Sequence, residues 1–323
     1  MEAFMTILRI LAGLSLFLYG VSRLSESLQQ LAGKKINNIV ERFTKNRFAG
    51  VATGAVATTL LDSSSITIIM VISLVNSGIL SFVNSLGVVM GANIGTTISS
   101  QLIAFQINEY AALLLVVGLL FYTLGKGKKI GNLGLVIFGF GLIFFGLEII
   151  GDAAAPLKEN KMFIGWISKL DNPWSGVLVG AIFTVLIQSS SATIGIVITL
   201  ASQGMITLPL GISIMLGAEI GTCADTLVAT VGGSRNAVRT GIFHLGFNII
   251  TVVIGVFLAD YLAIAARKLA SGENISRQIA NAHMIFNFMG VLLFIWFVPF
   301  MVKFLEWIVP DRKTDQVAEA VEG

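Results

Sequence analysis

Apolar stretches alternate with short polar ones along the chain as far as residue 309. Residues 3–21, 130–150, 240–258 and 281–301 each supply the roughly 20 apolar residues that cross a bilayer as a helix. Residues 110–124 are fewer and cross only if neighbouring residues extend the helix. The pattern predicts several membrane-spanning helices.

Two further segments have apolar arms that are too short to cross a membrane. Residues 48–76 contain serines 63–65, and residues 174–202 contain serines 189–191. Each arm is shorter than the roughly 17 residues that a spanning helix needs at least. Each segment is therefore predicted to be a re-entrant helical hairpin with a polar tip.

A repeat organises the chain. Shifting the sequence by 126 residues aligns the two serine triplets and, with no gap, aligns GANIGTT (91–97) with GAEIGTC (217–223). From residue 50 to residue 96, 20 of 47 aligned positions are identical, which chance similarity between apolar helices does not produce. The predicted units are repeat 1 (1–129), repeat 2 (130–259), a linker with a final transmembrane helix (260–309) and a disordered tail (310–323).

The two glycine-rich motifs lie inside apolar residues 79–106 and 206–231. Each motif places glycines, an amide or acid, and threonine in the middle of a hydrophobic segment. Irregular backbone is tolerated at membrane depth where it lines a protein cavity. Each segment is therefore predicted to be a broken transmembrane helix, with Thr96 or Thr222 at the start of its second half.

The distribution of charge predicts the orientation of these segments. Residues 22–47 and 125–129 carry six and three Lys or Arg, whereas residues 148–173 carry three against four acidic residues. Because Lys and Arg are enriched in cytoplasmic loops, the first two are predicted inside and the third outside. Three crossings per repeat then invert the second copy. The predicted fold class is an all-α polytopic membrane protein with an inverted-topology repeat, which is typical of many secondary transporters.

Composition agrees with a membrane protein. Only 12% of the residues are charged and 55% are apolar, with a mean hydropathy of +0.88, whereas a typical soluble domain has about 25% charged residues. This excludes a cytosolic enzyme, a secreted disulfide scaffold and a disordered protein. The net charge of +3 is assigned to cytoplasmic loops and not to nucleic-acid binding. The expected location is the inner membrane, with several crossings.

The serine triplets are candidates for binding an anion. A helix that begins at a serine presents unpaired backbone N–H groups and hydroxyls at one point. The two helix starts at the triplets and the two predicted at Thr96 and Thr222 would together form an anion site without a lysine or arginine. The predicted anion-binding residues are Ser63, Ser64, Ser65, Ser189, Ser190, Ser191, Thr96 and Thr222. The alternative is that these small residues only allow close helix packing.

The acidic residues have exchanged places between the repeats. Asp62 and Asn93 of repeat 1 align with Gln188 and Glu219 of repeat 2. Carboxylates repel an anion, so they imply a bound cation, either Na⁺ or H⁺. The predicted sodium ligands are Asp62, Gln188, Asn93, Glu219, Thr67, Thr193 and Thr97. The alternative is a protonated acid that hydrogen-bonds a helix break, and Asp225 is left without an assigned role.

Both histidines occur in one pattern, His244 with Asn248 and His283 with Asn287. Histidine and asparagine four residues apart lie on the same face of a helix. Two interpretations stay open at this point. The pairs either hydrogen-bond one helix to another, which is common for these side chains in membranes, or line the substrate path.

These motifs resemble those of the type II sodium–phosphate cotransporter family, whose two halves each carry QSSS followed by G-x-N-I-G-T-T. The resemblance extends over nearly the whole chain, including GLSLFLYG, RNAVRTGIFHLGFN and AHMIFNF. It implies sodium-coupled symport of inorganic phosphate into the cell by alternating access, with serines 63–65 and residues 188–191 at the substrate and sodium sites. Asp62 and Glu219 replace a neutral glutamine and asparagine of the family pattern, which leaves the sodium stoichiometry and the ion open.

Other functions stay open. A related oxyanion, with sodium or proton coupling, fits the same motifs. An intramembrane serine hydrolase would combine a serine with His244 or His283 and an acid, although no serine lies in a GxSxG motif. A membrane scaffold or sensor would transport nothing. No cofactor besides sodium is expected. The expected partners are phosphate, sodium, the lipid bilayer and a second copy in a homodimer, with no PhoU-like domain in these 323 residues.

Overall fold

The computed structural model describes residues 2–32, 35–125, 129–170, 172–270, 272 and 274–311. Long apolar helices joined by short turns make up this part of the chain. Its α-helices are α1 (Glu2–Ala32), α2 (Lys35–Phe43), α3 (Arg47–Leu61), α4 (Ser64–Asn76), α5 (Phe82–Ile103), α6 (Ala111–Leu124), α7 (Lys129–Ala154), α8 (Lys161–Ile167), α9 (Pro173–Ile187), α10 (Ser190–Ser202), α11 (Leu208–Gly221), α12 (Cys223–Val228), α13 (Arg235–Phe257), α14 (Ala259–Ala270), α15 (Ile275–Phe294) and α16 (Val298–Ile308). Short 3₁₀ helices occupy Asn108–Tyr110, Ala155–Glu159 and Ser168–Leu170.

Five helical stretches in the described part are long and apolar enough to cross a membrane, and two bent helix pairs raise the number to seven if each is one span. Large apolar side chains also cover the outer surface: Leu186 and Phe257 are 75% and 76% exposed. Such a surface is unfavourable in water and suits hydrocarbon. The protein is therefore a multi-pass, all-helical membrane protein, as its composition predicts.

Two regions differ from the sequence prediction. The basic stretch 22–47 is mostly helical and not a loop, because α1 continues to Ala32 and α2 follows it. The crossing predicted at residues 281–301 is not one straight helix, since α16 leaves α15 at an angle of 79°. Pro299 lies in the first turn of α16, where it lacks a backbone N–H to continue the preceding helix. The predicted linker also contains a helix, α14, and residues 312–323 of the predicted disordered tail lie outside the described residues.

Each serine triplet lies at a tight turn between two helical arms. The chain passes from α3 to α4, and from α9 to α10, through residues 62–63 and 188–189. Asp62 and Gln188 both adopt the left-handed conformation, with φ of 51° and 59°. This conformation costs a non-glycine residue about 1–2 kcal/mol. The two repeats therefore keep the same unfavourable backbone geometry at their tips.

The predicted helix break in residues 79–106 is wrong. α5 is continuous over 22 residues, and Thr96 lies within it. In the second repeat α11 ends at Gly221 and α12 begins at Cys223, but Thr222 between them keeps right-handed helical angles (φ −61°, ψ −20°). The interruption is a local change in the hydrogen-bond ladder. Both glycine motifs stay helical because their glycines are used to pack against a neighbouring helix.

Glycines allow the first arm of each hairpin to approach the long helix closely. A Cβ on Gly91 of α5 would overlap the carbonyl oxygen of Val51 in α3. The equivalent Gly217 of α11 has the same relation to Val177 in α9. Small residues at such crossings are typical of helix packing in membranes. The packing interpretation of the small residues therefore holds for these glycines.

Helix α15 packs against α5 in the opposite direction. The guanidinium of Arg277 lies 3.6 Å from the centre of the Phe105 ring. Further along α15, Asn281 accepts a hydrogen bond of 3.1 Å from Gln101. Because residue numbers rise along α15 as they fall along α5, the two helices are antiparallel.

The same helix α15 runs parallel to α11. Ile279 lies beside Gly211, where a Cβ would come within 2.9 Å of the isoleucine Cδ1. Eight residues further along both helices, Asn287 donates a hydrogen bond of 2.9 Å to Glu219. It follows that α5 of the first repeat and α11 of the second run in opposite directions.

Candidate functional site

The first serine of each triplet caps the second arm of its hairpin. The hydroxyls of Ser63 and Ser189 accept hydrogen bonds from the backbone N–H groups of Ile66 (3.3 Å) and Ala192 (3.2 Å). The next serine, at position 64 or 190, begins the helix and is 5% exposed. The predicted helix starts at both triplets are therefore confirmed.

Two buried threonines hold the hairpin arms together. Thr67 donates to the carbonyl oxygen of Ser63 and accepts from the hydroxyl of Thr58, at 3.0 Å in each case. The matching contacts join Thr193 to the carbonyl oxygen of Ser189 at 3.1 Å and to the hydroxyl of Thr184 at 2.8 Å. Both threonines therefore have a structural role at the tips, whatever else they bind.

The last serine of each triplet lies close to a carboxylate of the other repeat. Asp62 accepts a hydrogen bond from Ser99 of α5, and Ser191 of the second hairpin lines the same small cavity. On the other side, the hydroxyl of Ser65 lies near the carboxylate of Asp225 in α12. The two hairpin tips thus meet at the boundary between the repeats, and Asp225, unassigned from the sequence, belongs to this region.

Three threonines of the glycine-rich motifs are bonded within their own helices. Thr96, Thr97 and Thr222 donate to the carbonyl oxygens three or four residues earlier, at 3.1, 2.7 and 3.0 Å. The backbone N–H of Thr222 is also used, at 3.1 Å from the carbonyl oxygen of Ala218. The prediction that Thr96 begins a helix is wrong, because α5 continues through it. Thr222 does precede α12 as its N-cap residue, but its side chain makes no capping hydrogen bond there.

Asn93 of the first repeat is hydrogen-bonded to α13. Its side-chain amide donates to Asn248 Oδ1 at 2.6 Å, and Asn248 in turn donates to Cys223 Sγ at 3.1 Å. Two turns earlier the hydroxyls of Ser85 and Thr240 are 3.1 Å apart. α13 therefore runs parallel to α5 and is joined to it by neutral polar groups.

Glu219, which aligns with Asn93, is hydrogen-bonded to α15. Its Oε1 is 2.7 Å from His283 Nε2 and accepts a hydrogen bond of 2.9 Å from Asn287 Nδ2. All three side chains are buried, with Glu219 only 3% exposed. A carboxylate is costly at membrane depth unless it has such partners.

The two histidines make equivalent contacts with opposite repeats. His283 Nδ1 is 2.8 Å from the hydroxyl of Ser100, and His244 Nδ1 is 2.8 Å from that of Thr226. Ser100 and Thr226 are 126 residues apart, as the repeat requires. Both His–Asn pairs therefore join helices. The sequence shows that the two pairs are equivalent, because a histidine with an asparagine four residues later recurs after 39 residues. It did not predict their partners on α5, α11 and α12.

Ser100, His283 and Glu219 form a serine–histidine–carboxylate chain of contacts. This is the arrangement that the hydrolase alternative requires. However, Ser100 and His283 have no exposed surface, and Ser100 also donates to the carbonyl oxygen of Thr97 at 2.8 Å. The chain of contacts is a packed tie between α5, α11 and α15, and the structure does not favour hydrolysis.

The donor set at the hairpin tips suits small hard ions. Hydroxyls, amides and carboxylates provide oxygen ligands for an alkali cation, and two helix N-termini provide N–H groups for an anion. In the described ranges no three His, Cys, Asp or Glu side chains come together as a metal site. The region therefore fits ion binding through oxygen ligands and helix ends.

The model of the Na⁺/Pi-cotransporter family matches the chain over residues 16–152 and 159–297, so that each matched stretch contains one serine triplet. The chain is 31% identical to the uncharacterized protein YqeW of Bacillus subtilis over 299 residues, covering 92% of this chain and 96% of YqeW. It is 25% identical to the "Putative inorganic phosphate export protein YjbB" of Escherichia coli over 309 residues, covering 95% of this chain and 56% of YjbB.

A shorter match joins the chain to a human protein. The sodium-dependent phosphate transport protein 2B of Homo sapiens is 33% identical over 144 residues, covering 40% of this chain and 21% of that protein. The chain spans about half of YjbB and a fifth of the human protein. No solved structure matches the chain.

Proposed function

We propose, because the chain belongs to the Na⁺/Pi-cotransporter family, that it is a secondary active transporter which carries inorganic phosphate into the cell by symport with Na⁺ and alternating access. The observation that supports this most is that the family model matches both halves, each with one serine hairpin. Sodium is proposed as the coupling ion because the human relative is named for sodium-dependent phosphate transport.

The proposed architecture is an inverted repeat with two re-entrant hairpins. The opposite directions of α5 and α11 along α15 support the inversion. The packing of the first hairpin supports re-entry: Gly87, near the start of α5, faces the backbone of Arg47 at the start of α3. α4 then ends at Asn76, six residues before α5 begins, so both ends of the hairpin lie near one end of α5.

Phosphate is proposed to bind between the two hairpin tips. The starts of α4 and α10 provide N–H groups and hydroxyls, and the last serine of each triplet approaches the other repeat. Helix N-termini favour anions because of their unpaired donors and dipoles. The hydroxyls of Thr96 and Thr222, already used within their helices, would contribute through their remaining lone pairs or after a local rearrangement.

Sodium is proposed to bind beside the same tips. Asp62, next to Ser99 and Ser191, is the carboxylate that this assignment favours, with Gln188 at the equivalent tip of the second hairpin. The hydroxyl oxygens of Thr67 and Thr193 face these turns. Asn93, Glu219 and Thr97 remain predicted ligands, and each already has a protein partner.

The second candidate is transport in the other direction. It rests on YjbB, named for phosphate export, which aligns with 95% of this chain. Export would use the same tips and repeats, because alternating access is reversible and the gradients decide the direction of flux.

Uptake of radiolabelled phosphate into proteoliposomes, with and without an inward Na⁺ gradient, tests both candidates. We expect uptake that depends on external Na⁺. Phosphate flux that ignores the Na⁺ gradient would contradict the symport, and flux only out of loaded vesicles would favour export. A protein that moves no phosphate in either direction would overturn the proposed function.

A further inference from the structure

Two equivalent polar clusters connect α13 to α5 and α15 to α11. The α13 clasp is the contact between Asn93 and Asn248, and the α15 clasp is the contact of Glu219 with His283 and Asn287. The 126-residue repeat relates Asn93 to Glu219. Any difference between the clasps is therefore a difference between two versions of the same joint.

The α15 clasp has more contacts than the α13 clasp. One carboxyl oxygen of Glu219 has two partners on α15, at 2.7 and 2.9 Å. The α13 clasp has a single amide–amide bond of 2.6 Å, and His244 Nε2 faces only the sulfur of Cys223, at 3.8 Å. Because two side chains of α15 bind Glu219 and only one of α13 binds Asn93, we expect α15 to separate from α11 less easily than α13 from α5.

The contacts next to the clasps differ in the same sense. Between α5 and α13, Ser85 and Thr240 join two hydroxyls, which can exchange this bond for bonds to water. At the equivalent level of α11 and α15, Gly211 lets Ile279 pack closely without polar groups. Separating apolar side chains loses their dispersion contacts, and water cannot replace these.

We infer that α11 and α15 move as one rigid body during transport, and that the interface between α5 and α13 is the joint that opens. Glu219, His283 and Asn287 are then positioning residues that hold α15 on the second repeat. The inference rests on the proposed function, since it assigns the moving parts of an alternating-access cycle.

Two engineered disulfides at symmetry-equivalent places test the inference. In a Cys223→Ser background, Ser85→Cys with Thr240→Cys links α5 to α13, and Gly211→Cys with Ile279→Cys links α11 to α15. The side chains of both pairs are in contact: the hydroxyls of Ser85 and Thr240 are 3.1 Å apart, and a Cβ on Gly211 would lie 2.9 Å from Ile279 Cδ1. Phosphate uptake is measured in each protein reduced, oxidised and reduced again.

We expect oxidation to abolish uptake in the 85–240 pair, reduction to restore it, and the 211–279 pair to transport equally in both states. Arrest by the 211–279 disulfide, or continued transport through the oxidised 85–240 pair, would overturn the inference.

Hydrogen exchange on the unmodified protein provides a test that needs no substitution. Adding phosphate and Na⁺ is expected to change the exchange of peptides from α13 and to leave those from α15 unchanged, and neither helix carries a proposed ligand. The opposite pattern would overturn the inference. If the unmodified protein moves no phosphate at all, the proposed function fails, whereas normal transport with the wrong disulfide response contradicts only this inference.

Discussion

The two hairpin tips share a backbone and differ in charge. Asp62 and Gln188 have nearly the same left-handed angles, and Thr67 and Thr193 make the same pair of hydrogen bonds. Yet Asp62 is a half-buried acid bonded to Ser99, whereas Gln188 is an exposed amide. The same turn therefore forms with an acid or an amide before the serines, and its hydrogen bonds come from serine and threonine.

The long helices next to the tips show the same separation of backbone and charge. α5 and α11 both approach a hairpin arm through glycines, but one carries Asn93 where the other carries Glu219. The acids of each repeat therefore stand where the other repeat is neutral. Because the fold accommodates either residue at these positions, the proposed role of the acids in ion coupling does not conflict with the shared backbone.

The largest expected effect concerns the sidedness of the two repeats. Arg42→Cys in α2 and Lys161→Cys in α8, each in a Cys223→Ala background, replace exposed residues. An impermeant thiol reagent is expected to label residue 42 only from the cytoplasmic side and residue 161 only from outside. Labelling of both from the same side would end the inverted-repeat proposal, and permeabilised membranes provide the control in which both react.

The second-largest effect is expected when a serine hydroxyl is removed from a hairpin tip. Ser64→Ala and Ser190→Ala are each expected to lower phosphate uptake about tenfold or more, because a missing hydrogen bond to a desolvated ligand costs about 1–3 kcal/mol. The matched control is Ser77→Ala, which removes an exposed serine at the other end of α4. Uptake at the level of the control would return both triplets to a packing role, and a loss in only one variant would show that the tips are unequal.

Substitution of the equivalent glycines of α5 and α11 is expected to lower stability in both repeats, because both helices need close backbone packing. Gly91→Ala and Gly217→Ala each place a Cβ against the carbonyl of a facing helix, and such overpacking costs about 1–3 kcal/mol of unfolding free energy. Gly246→Ala is the control, since nothing lies within 4 Å of its added Cβ. Thermal unfolding in detergent measures the three, and two interface variants as stable as the control would refute the packing described above.

The smallest expected effect belongs to the charge at the first tip. Asp62→Gln makes this tip match the second one in residue type, so folding should be unchanged while phosphate uptake becomes less dependent on Na⁺. The measurement is uptake against Na⁺ concentration at two pH values, with Gln188→Asn as the control without a charge change. Superimposable curves for wild type and Asp62→Gln would mean that Asp62 is structural.

Three features were predictable from the amino-acid sequence: the helical membrane class, the 126-residue repeat and the hairpin turns at the serine triplets. These features depend on local chemistry: the length of apolar segments, and serines that cap the helices that follow them. The family was predictable as well, since the same motifs recur at fixed spacing in both halves of the chain.

The other features depend on contacts between helices that are far apart in the chain. Glycine and threonine in α5 were compatible with a break, and the helix stays intact because α3 packs against its glycines. Likewise no local pattern paired Glu219 with His283, which lies 64 residues away. A buried carboxylate takes whichever polar partner the packing of helices brings within reach, and that packing is set by contacts far apart in the chain.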